Sequence, residues 1–205
     1  MSEQDYTPIP ANAPFAFTAE NEALAKQHIA KYPSGRQQSA VMPLLDIAQR
    51  QIGGWLTEPA IRYIAGFLGM PEIRVWEVAS FYTMYNLRPI GRHHVQVCTT
   101  TPCWLRGSAE IVEACEKHLG VRVGETTDDG LFTLKEVECL GACVNAPMMQ
   151  INDEYYEDLT PETTVKVLKQ LAAGETPKPG NQSARHTSEP AGGPTTLTSL
   201  NRPAE

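Results

Sequence analysis

Four of the five cysteines fall into two pairs, Cys98 with Cys103 in a C-x4-C spacing and Cys139 with Cys143 in a C-x3-C spacing, with 35 residues between the pairs. Each pair begins at the C-terminal end of a predicted strand, in HHVQVC (93–98) and FTLKEVEC (132–139). If those strands are parallel neighbours, both loops open on the same edge of a sheet and four sulfurs converge. Convergence of four thiolates serves either one tetrahedral zinc or an iron–sulfur cluster. An odd number of cysteines is poorly explained by disulfides. With no C-x-x-C present, a thiol oxidoreductase is disfavoured as well. The fifth cysteine, Cys115, shares a helical stripe with Ile111 and Leu119 and is expected to be a small buried hydrophobe.

The loops favour iron over zinc without deciding between them. A [2Fe-2S] cluster takes two thiolates on each iron, which suits two separated pairs, but both spacings also fall within the range used for zinc. The segment TTTP inside the first pair offers hydroxyls and backbone N–H groups, and LGA inside the second lets backbone approach closely. Hydrogen bonds of that kind stabilise and tune an anionic centre. Gly141 is expected to adopt positive φ or to pass close to the site, and the helix after Cys103 to direct its N-terminal dipole at it. His93 and His94 precede Cys98 and lie outside both ligand loops, which argues against a Rieske centre. They read as polar residues at the start of a strand.

The chain divides near residue 91. Residues 1–16, with Pro8, Pro10 and Pro14, read as an extended N-terminal arm. Residues 17–90 carry four short amphipathic helices: one after the cap Thr18, one with Val41, Leu44, Leu45, Ala48 and Ile52 on a stripe, one capped by Thr57 and ended by Gly69, and one starting at Pro71. Together they form a small helical bundle. Residues 91–174 alternate β and α, with a hairpin turning at Asn152-Asp153 and a last helix capped by Thr160, in an order compatible with a thioredoxin-like sheet. Residues 175–205, rich in Pro, Gly, Ser and Thr with only Leu197 and Leu200 as large aliphatics, read as a flexible C-terminal tail. SFYTMYNL (80–87) is open to two readings, an aromatic contact surface or burial within the bundle.

Composition narrows the function by exclusion. A net charge of −7 without a clustered Lys/Arg surface argues against nucleic-acid binding. No run approaches the roughly 18 apolar residues of a membrane span. The N-terminal stretch lacks the features of a signal or transit peptide, so the chain is expected to work in the compartment where it is made. There is no G-x-G-x-x-G after a strand, no P-loop and no candidate flavin site.

The segments VCTTTPCWLRGSAEI, TTDDGLFTLKEVECLGACVNAPMMQINDEYYEDLTPE and GWLTEPAIRYIAGFLGMPEIRVWEVASFYTMYNLRPIGRHHV resemble the 24 kDa, thioredoxin-like [2Fe-2S] subunit family of respiratory complex I, the proton-pumping NADH:quinone oxidoreductase. The similarity runs from roughly Phe15 to Gly174 and includes both cysteine spacings. It implies an α/β chain with an N-terminal helical bundle followed by a thioredoxin-like [2Fe-2S] ferredoxin domain. It also implies one [2Fe-2S] cluster on Cys98, Cys103, Cys139 and Cys143, with FMN and NADH held by a flavin-bearing partner subunit beside a neighbouring iron–sulfur subunit. The place of work would be the cytoplasmic face of the bacterial inner membrane, or the matrix side in a mature mitochondrial form. A cis Ala146-Pro147 bond is implied too. Diaphorase subunits of NAD-linked hydrogenases or formate dehydrogenases share this chemistry, and a structural four-cysteine zinc module stands as the alternative from a different class.

Overall fold

The computed structural model describes residues 10–183, 185–190, 192–193 and 195–196. The chain separates into two compact units, Met1–Ile90 and Gly91–Glu205.

The first unit is built from α1 (Ala19–Ile29), α2 (Val41–Ile52), α3 (Glu58–Leu68) and α4 (Glu72–Phe81). Each boundary has a chemical cause. The Thr18 and Thr57 hydroxyls accept hydrogen bonds from the otherwise unpaired N–H groups of Asn21 and Ala60, and Gly53 and Gly69 end α2 and α3 in the left-handed conformation. The apolar stripes of α2 and α3 meet as Leu44, Leu45, Ala48, Ala60, Ile61 and Ile64, all fully buried. Truncating such a leucine or isoleucine to alanine removes about 2–5 kcal/mol. Phe15 in the N-terminal arm and Phe17 just after it pack edge-on against Tyr63, at ring-centre distances of 5.4 and 5.3 Å, so the arm's end is anchored. The 80–87 segment divides between both readings. Tyr85 is buried and donates its hydroxyl to the Met42 carbonyl, while Phe81, Tyr82, Met84 and Leu87 are exposed.

The second unit centres on a five-stranded sheet of order β2-β1-β3-β4-β5, made of β1 (His93–Cys98), β2 (Phe132–Val137), β3 (Met149–Ile151), β4 (Glu154–Glu157) and β5 (Gly180–Asn181). Strands β1 and β2 are parallel, in a register that sets Cys98 beside Val137. A parallel pair requires a long crossover, and α5 (Thr101–Leu105) with α6 (Ser108–Leu119) supplies part of it. The hairpin β3–β4 turns at Asn152, whose φ of 54° suits asparagine and whose side chain ties it to the start of β1 through His94 N–H and the Arg92 carbonyl. Helix α7 (Pro161–Ala172) opens on a reciprocal capping box between Thr160 and Thr163. Val95, Val97, Ile111, Cys115, Leu134 and Leu168 form the core between sheet and helices. Gly91 enters this unit where a side chain would collide with the Phe132 backbone at 2.7 Å.

The flexible tail expected from residue 175 needs correction over its described part. Gly180 and Asn181 pair in parallel with Tyr156 and Glu157, and Arg185 forms a largely buried ion pair with Asp158. Composition hides this because the attachment is polar: no described residue after 177 contributes a buried apolar side chain. Leu197 and Leu200, and residues 1–9 of the arm, lie outside the described residues.

His94 is buried, and its Nε2 has no hydrogen-bond partner. Burial, and then the charge of Lys135, lower its imidazole from 6.5 to about 4. The folded state therefore binds this proton later than the unfolded chain does. Stability is unaffected above about pH 6.5 and falls as pH drops towards 4, by up to about 3 kcal/mol. Denaturant titrations of wild type and His94→Gln should converge in that window, the variant losing the His94 share of the acid sensitivity.

Candidate metal centre

The parallel β1–β2 pair delivers both cysteine loops to one sheet edge. Cys98 is the last residue of β1, and Cys139 follows the end of β2 at Val137 by two residues. Cys103 lies within the short helix α5, and Cys143 opens a 3-10 turn, Cys143–Asn145. Cys103 therefore sits in α5, ahead of the expected helix, which follows as α6 from Ser108, and the groups that reach the sulfurs are individual N–H donors. Cys98 and Cys103 are buried, packed with Ala146 and Met148 against Leu140, Ala142 and Tyr155. Cys139 and Cys143 are exposed.

The Cys139 and Cys143 sulfurs are 3.7 Å apart. Two thiolates bound to one tetrahedral metal at roughly 2.3 Å lie about 3.8 Å from each other, so the spacing is that of one metal held by this pair. Cys98 and Cys103 are also in hydrogen-bond contact. Among the described residues, no group of three or more His, Cys, Asp or Glu side chains is gathered tightly enough to hold a single metal ion. The thiol contacts fall into two pairs, Cys139 with Cys143 and Cys98 with Cys103, and such pairs suit two metals with two thiolates each.

Backbone donors converge on the sulfurs. Burial pushes the Cys98 thiol up, but the N–H groups of Leu140 and Thr100, the Cys103 thiol and the Thr100 hydroxyl outweigh it and bring Cys98 below the usual thiol value. The Leu140 donor comes from the other cysteine loop and so bridges the two pairs. Cys103 moves the opposite way: burial, its hydrogen bond to Cys98 and the Cys98 charge push it up against the Met148 N–H. Cys143 is raised by its bond to Cys139 and feels the Cys98 charge across the pairs. Gly141, at φ 84°, turns its N–H onto the Cys139 sulfur at 3.4 Å, as the sequence leads one to expect of that glycine. Such donors stabilise negative charge on the sulfurs, which an anionic cluster requires.

Side chains outside the cysteine motifs hold these loops. The Thr99 hydroxyl donates to Glu136 at 2.6 Å, joining the first loop to the end of β2. The Tyr155 hydroxyl donates to the Leu140 carbonyl at 2.8 Å, fixing the residue whose N–H reaches Cys98. The Ala146-Pro147 bond is cis. Trp104, Leu105 and Val144, each adjacent to or two residues from a cysteine, are exposed at 63%, 71% and 66%. The sequence signal for the first two was large apolar residues on a helix of 5 residues, too short to bury them; Val144, in the 3-10 turn, carries no such signal. His93 stacks on Phe132 and His94 packs inward, neither in a cysteine loop. Cys115 is fully buried on α6, and burial pushes its thiol up to about 12.

Residues 25–172 match the model of the thioredoxin-like [2Fe-2S] ferredoxin family, and the chain belongs to that family. It is 60% identical over 157 residues to an NADH-quinone oxidoreductase subunit of Rickettsia conorii, an alignment covering 77% of this chain and 94% of the relative. It is 54% identical over 186 residues to the mitochondrial NADH dehydrogenase [ubiquinone] flavoprotein 2 of Dictyostelium discoideum, covering 91% of this chain and 75% of that one. Among solved structures, an NAD+-reducing [NiFe]-hydrogenase in the H2-reduced state superposes with a TM-score of 0.57 at 19% identity, over 65% of this chain and 23% of that chain, a likeness of fold.

Alkylation of the reduced, metal-free chain should follow these environments. Cys139 and Cys143 should label first and Cys115 last, as read by peptide mass spectrometry over time. Early labelling of Cys115 would contradict its place in the core.

Proposed function

We propose that the chain is the [2Fe-2S] electron-transfer subunit of the NADH-dehydrogenase module of a respiratory NADH:quinone oxidoreductase, with Cys98, Cys103, Cys139 and Cys143 as the cluster ligands. The observation that carries this reading is the pairing of the four thiols across two parallel strand ends, with the Leu140 N–H linking one pair to the other. Two thiol pairs on separate loops suit the two irons of a [2Fe-2S] cluster, each taking two thiolates. When bound, a [2Fe-2S] cluster supplies one-electron redox chemistry.

The chain's own residues do the rest. Leu140, Thr100, Gly141 and Met148 direct N–H groups at sulfur. Cys98, Cys103, Ala146 and Met148 seal one side from water, and the exposed pair leaves the other side open. The protein is a non-autonomous part of the oxidoreductase: it takes and returns single electrons, while FMN and NADH sit on the partner. Trp104, Leu105 and Val144 around the cysteines form the face we assign to the flavin-bearing subunit, with the neighbouring iron–sulfur subunit as a further contact of the assembly. Among the described residues no helix is long and apolar enough to cross a membrane, in keeping with a peripheral position, which we place on the cytoplasmic face of the inner membrane. A diaphorase subunit of a hydrogenase is supported only by fold likeness at 19% identity, against 60% for the Rickettsia conorii oxidoreductase chain.

Anaerobically purified protein should carry about two irons and two sulfides per chain and, once reduced with dithionite, a single S = 1/2 EPR signal. Cys139→Ser should abolish or displace that signal, and Cys115→Ser should leave it unchanged. Stoichiometric zinc with no iron after reconstitution would sink the proposal.

A further inference from the structure

The second unit contains a partly buried polar network with no part in the electron transfer described above. Its centre is Asp158, which follows β4 at φ 51°. The Arg185 guanidinium pairs with both Asp158 carboxylate oxygens, and the two side chains are only 13% and 14% exposed. The same guanidinium donates through Nη2 to the Val144 carbonyl at 3.0 Å and through Nη1 to the Glu189 carbonyl at 2.9 Å. Asn145, 3% exposed, uses both ends of its amide: Nδ2 donates to Asp158 and to the Thr187 carbonyl, each at 2.9 Å, and Oδ1 accepts from the Ser188 hydroxyl at 2.9 Å. Asn181 Nδ2 adds a 2.6 Å bond to Asp158, and the Asp158 N–H donates to the Asn145 carbonyl at 2.8 Å.

Val144 and Asn145 are the two residues that follow Cys143 in its 3-10 turn. Every side-chain bond of Asn145 runs to Asp158 or to residues 187–188, and the Val144 carbonyl is held by Arg185. The turn carrying the most exposed ligand loop is thus fastened by a segment 41 to 43 residues further along the chain. That segment adds no buried apolar side chain, so its attachment is polar and concentrated on Arg185 and Asp158. Losing one member of such a pair leaves a buried charge uncompensated.

We infer that Asn181, Arg185, Thr187 and Ser188 act as a latch on the Cys143 turn: Arg185 and Ser188 are positioning residues that hold Val144 and Asn145, and through them the Cys143 sulfur, beside Cys139. Release of the segment frees the exposed cysteine pair while the buried pair stays in its apolar setting. The inference rests on the ligand assignment proposed above, and it extends the working part of the chain beyond the 25–172 family match.

The test uses the full-length, cluster-loaded chain and compares wild type with Arg185→Gln, Arg185→Lys and Ser188→Ala. Cluster release to excess chelator is followed by visible absorbance well below the unfolding transition, EPR line shape is recorded on reduced samples, and thermal unfolding is followed by circular dichroism. Removing a charge-assisted hydrogen-bonded group should speed release about tenfold or more in Arg185→Gln and broaden the EPR signal. Arg185→Lys, which keeps the charge beside Asp158 and loses the forked donors, should fall between it and wild type, and Ser188→Ala should show a smaller effect. Unchanged release in all variants, or release that merely tracks global unfolding, would overturn the latch and leave the ligand assignment standing. A wild-type chain that takes up no iron would instead remove the assignment and the latch with it.

Discussion

The parallel pairing of β1 with β2 is the interaction on which everything else in the second unit depends. Residues far apart in sequence reach a common edge only when two strands run the same way, and parallel strands cannot be joined by a short turn. The 33 residues between Cys98 and Phe132 supply the crossover, including α6 with its buried Ile111 and Cys115. Burying that stripe against the sheet stabilises the crossover and the register together. A slip of one residue would exchange buried Val95 and Val97 for Gln96, and would carry Cys98 away from the loop that Leu140 directs towards it.

Chemistry at the strand ends is assigned mostly to the backbone. Leu140, Thr100, Gly141 and Met148 present N–H groups to sulfur, and the side chains around them chiefly hold the backbone in place: Thr99 on Glu136, Tyr155 on the Leu140 carbonyl, Arg185 on the Val144 carbonyl. Backbone donors need no ordering of a flexible side chain, so their orientation is set when the loops fold. The environment is also unequal. Cys98 and Cys103 lie in an apolar pocket, Cys139 and Cys143 in contact with solvent, and a charge placed between them is stabilised by dipoles on one side and by water or a partner on the other.

How much of this could be read in advance follows from the range of the forces involved. The helices were legible because their causes are local: Thr18, Thr57 and Thr160 as caps, Gly53 and Gly69 as stops, and stripes such as Leu44, Leu45 and Ala48. The Asn152 turn and the positive φ of Gly141 are local too. The cysteine pairs were legible through spacing, and the common edge on which their loops open only on the condition that the two strands are parallel neighbours. What escaped was non-local and polar. Nothing in the order of Asn145, Asp158, Arg185 and Ser188 along the chain signals that they meet, and a segment poor in aliphatic residues looks unattached when judged by apolar content alone. Trp104 and Leu105 escaped for another reason: their meaning lies in being exposed, which no helical stripe encodes.

An electron carrier faces opposed requirements, since its centre must be close enough to the surface to exchange electrons and dry enough to survive. The distribution of burial here answers them unequally. One thiol pair is sealed by Met148, Ala146 and Tyr155, the other is left open, and large apolar side chains that follow a cysteine of each pair, Trp104 and Leu105 after Cys103 and Val144 after Cys143, stand exposed. Exposed apolar groups concentrated around a functional site are more consistent with an interface than with a solvent-facing surface. In the assembly proposed above, the flavin-bearing subunit would therefore do two things with one contact: bring its redox group near and complete the exclusion of water. With that apolar fit setting the placement of a chain of net charge −7, shielding and docking would be achieved by the same residues.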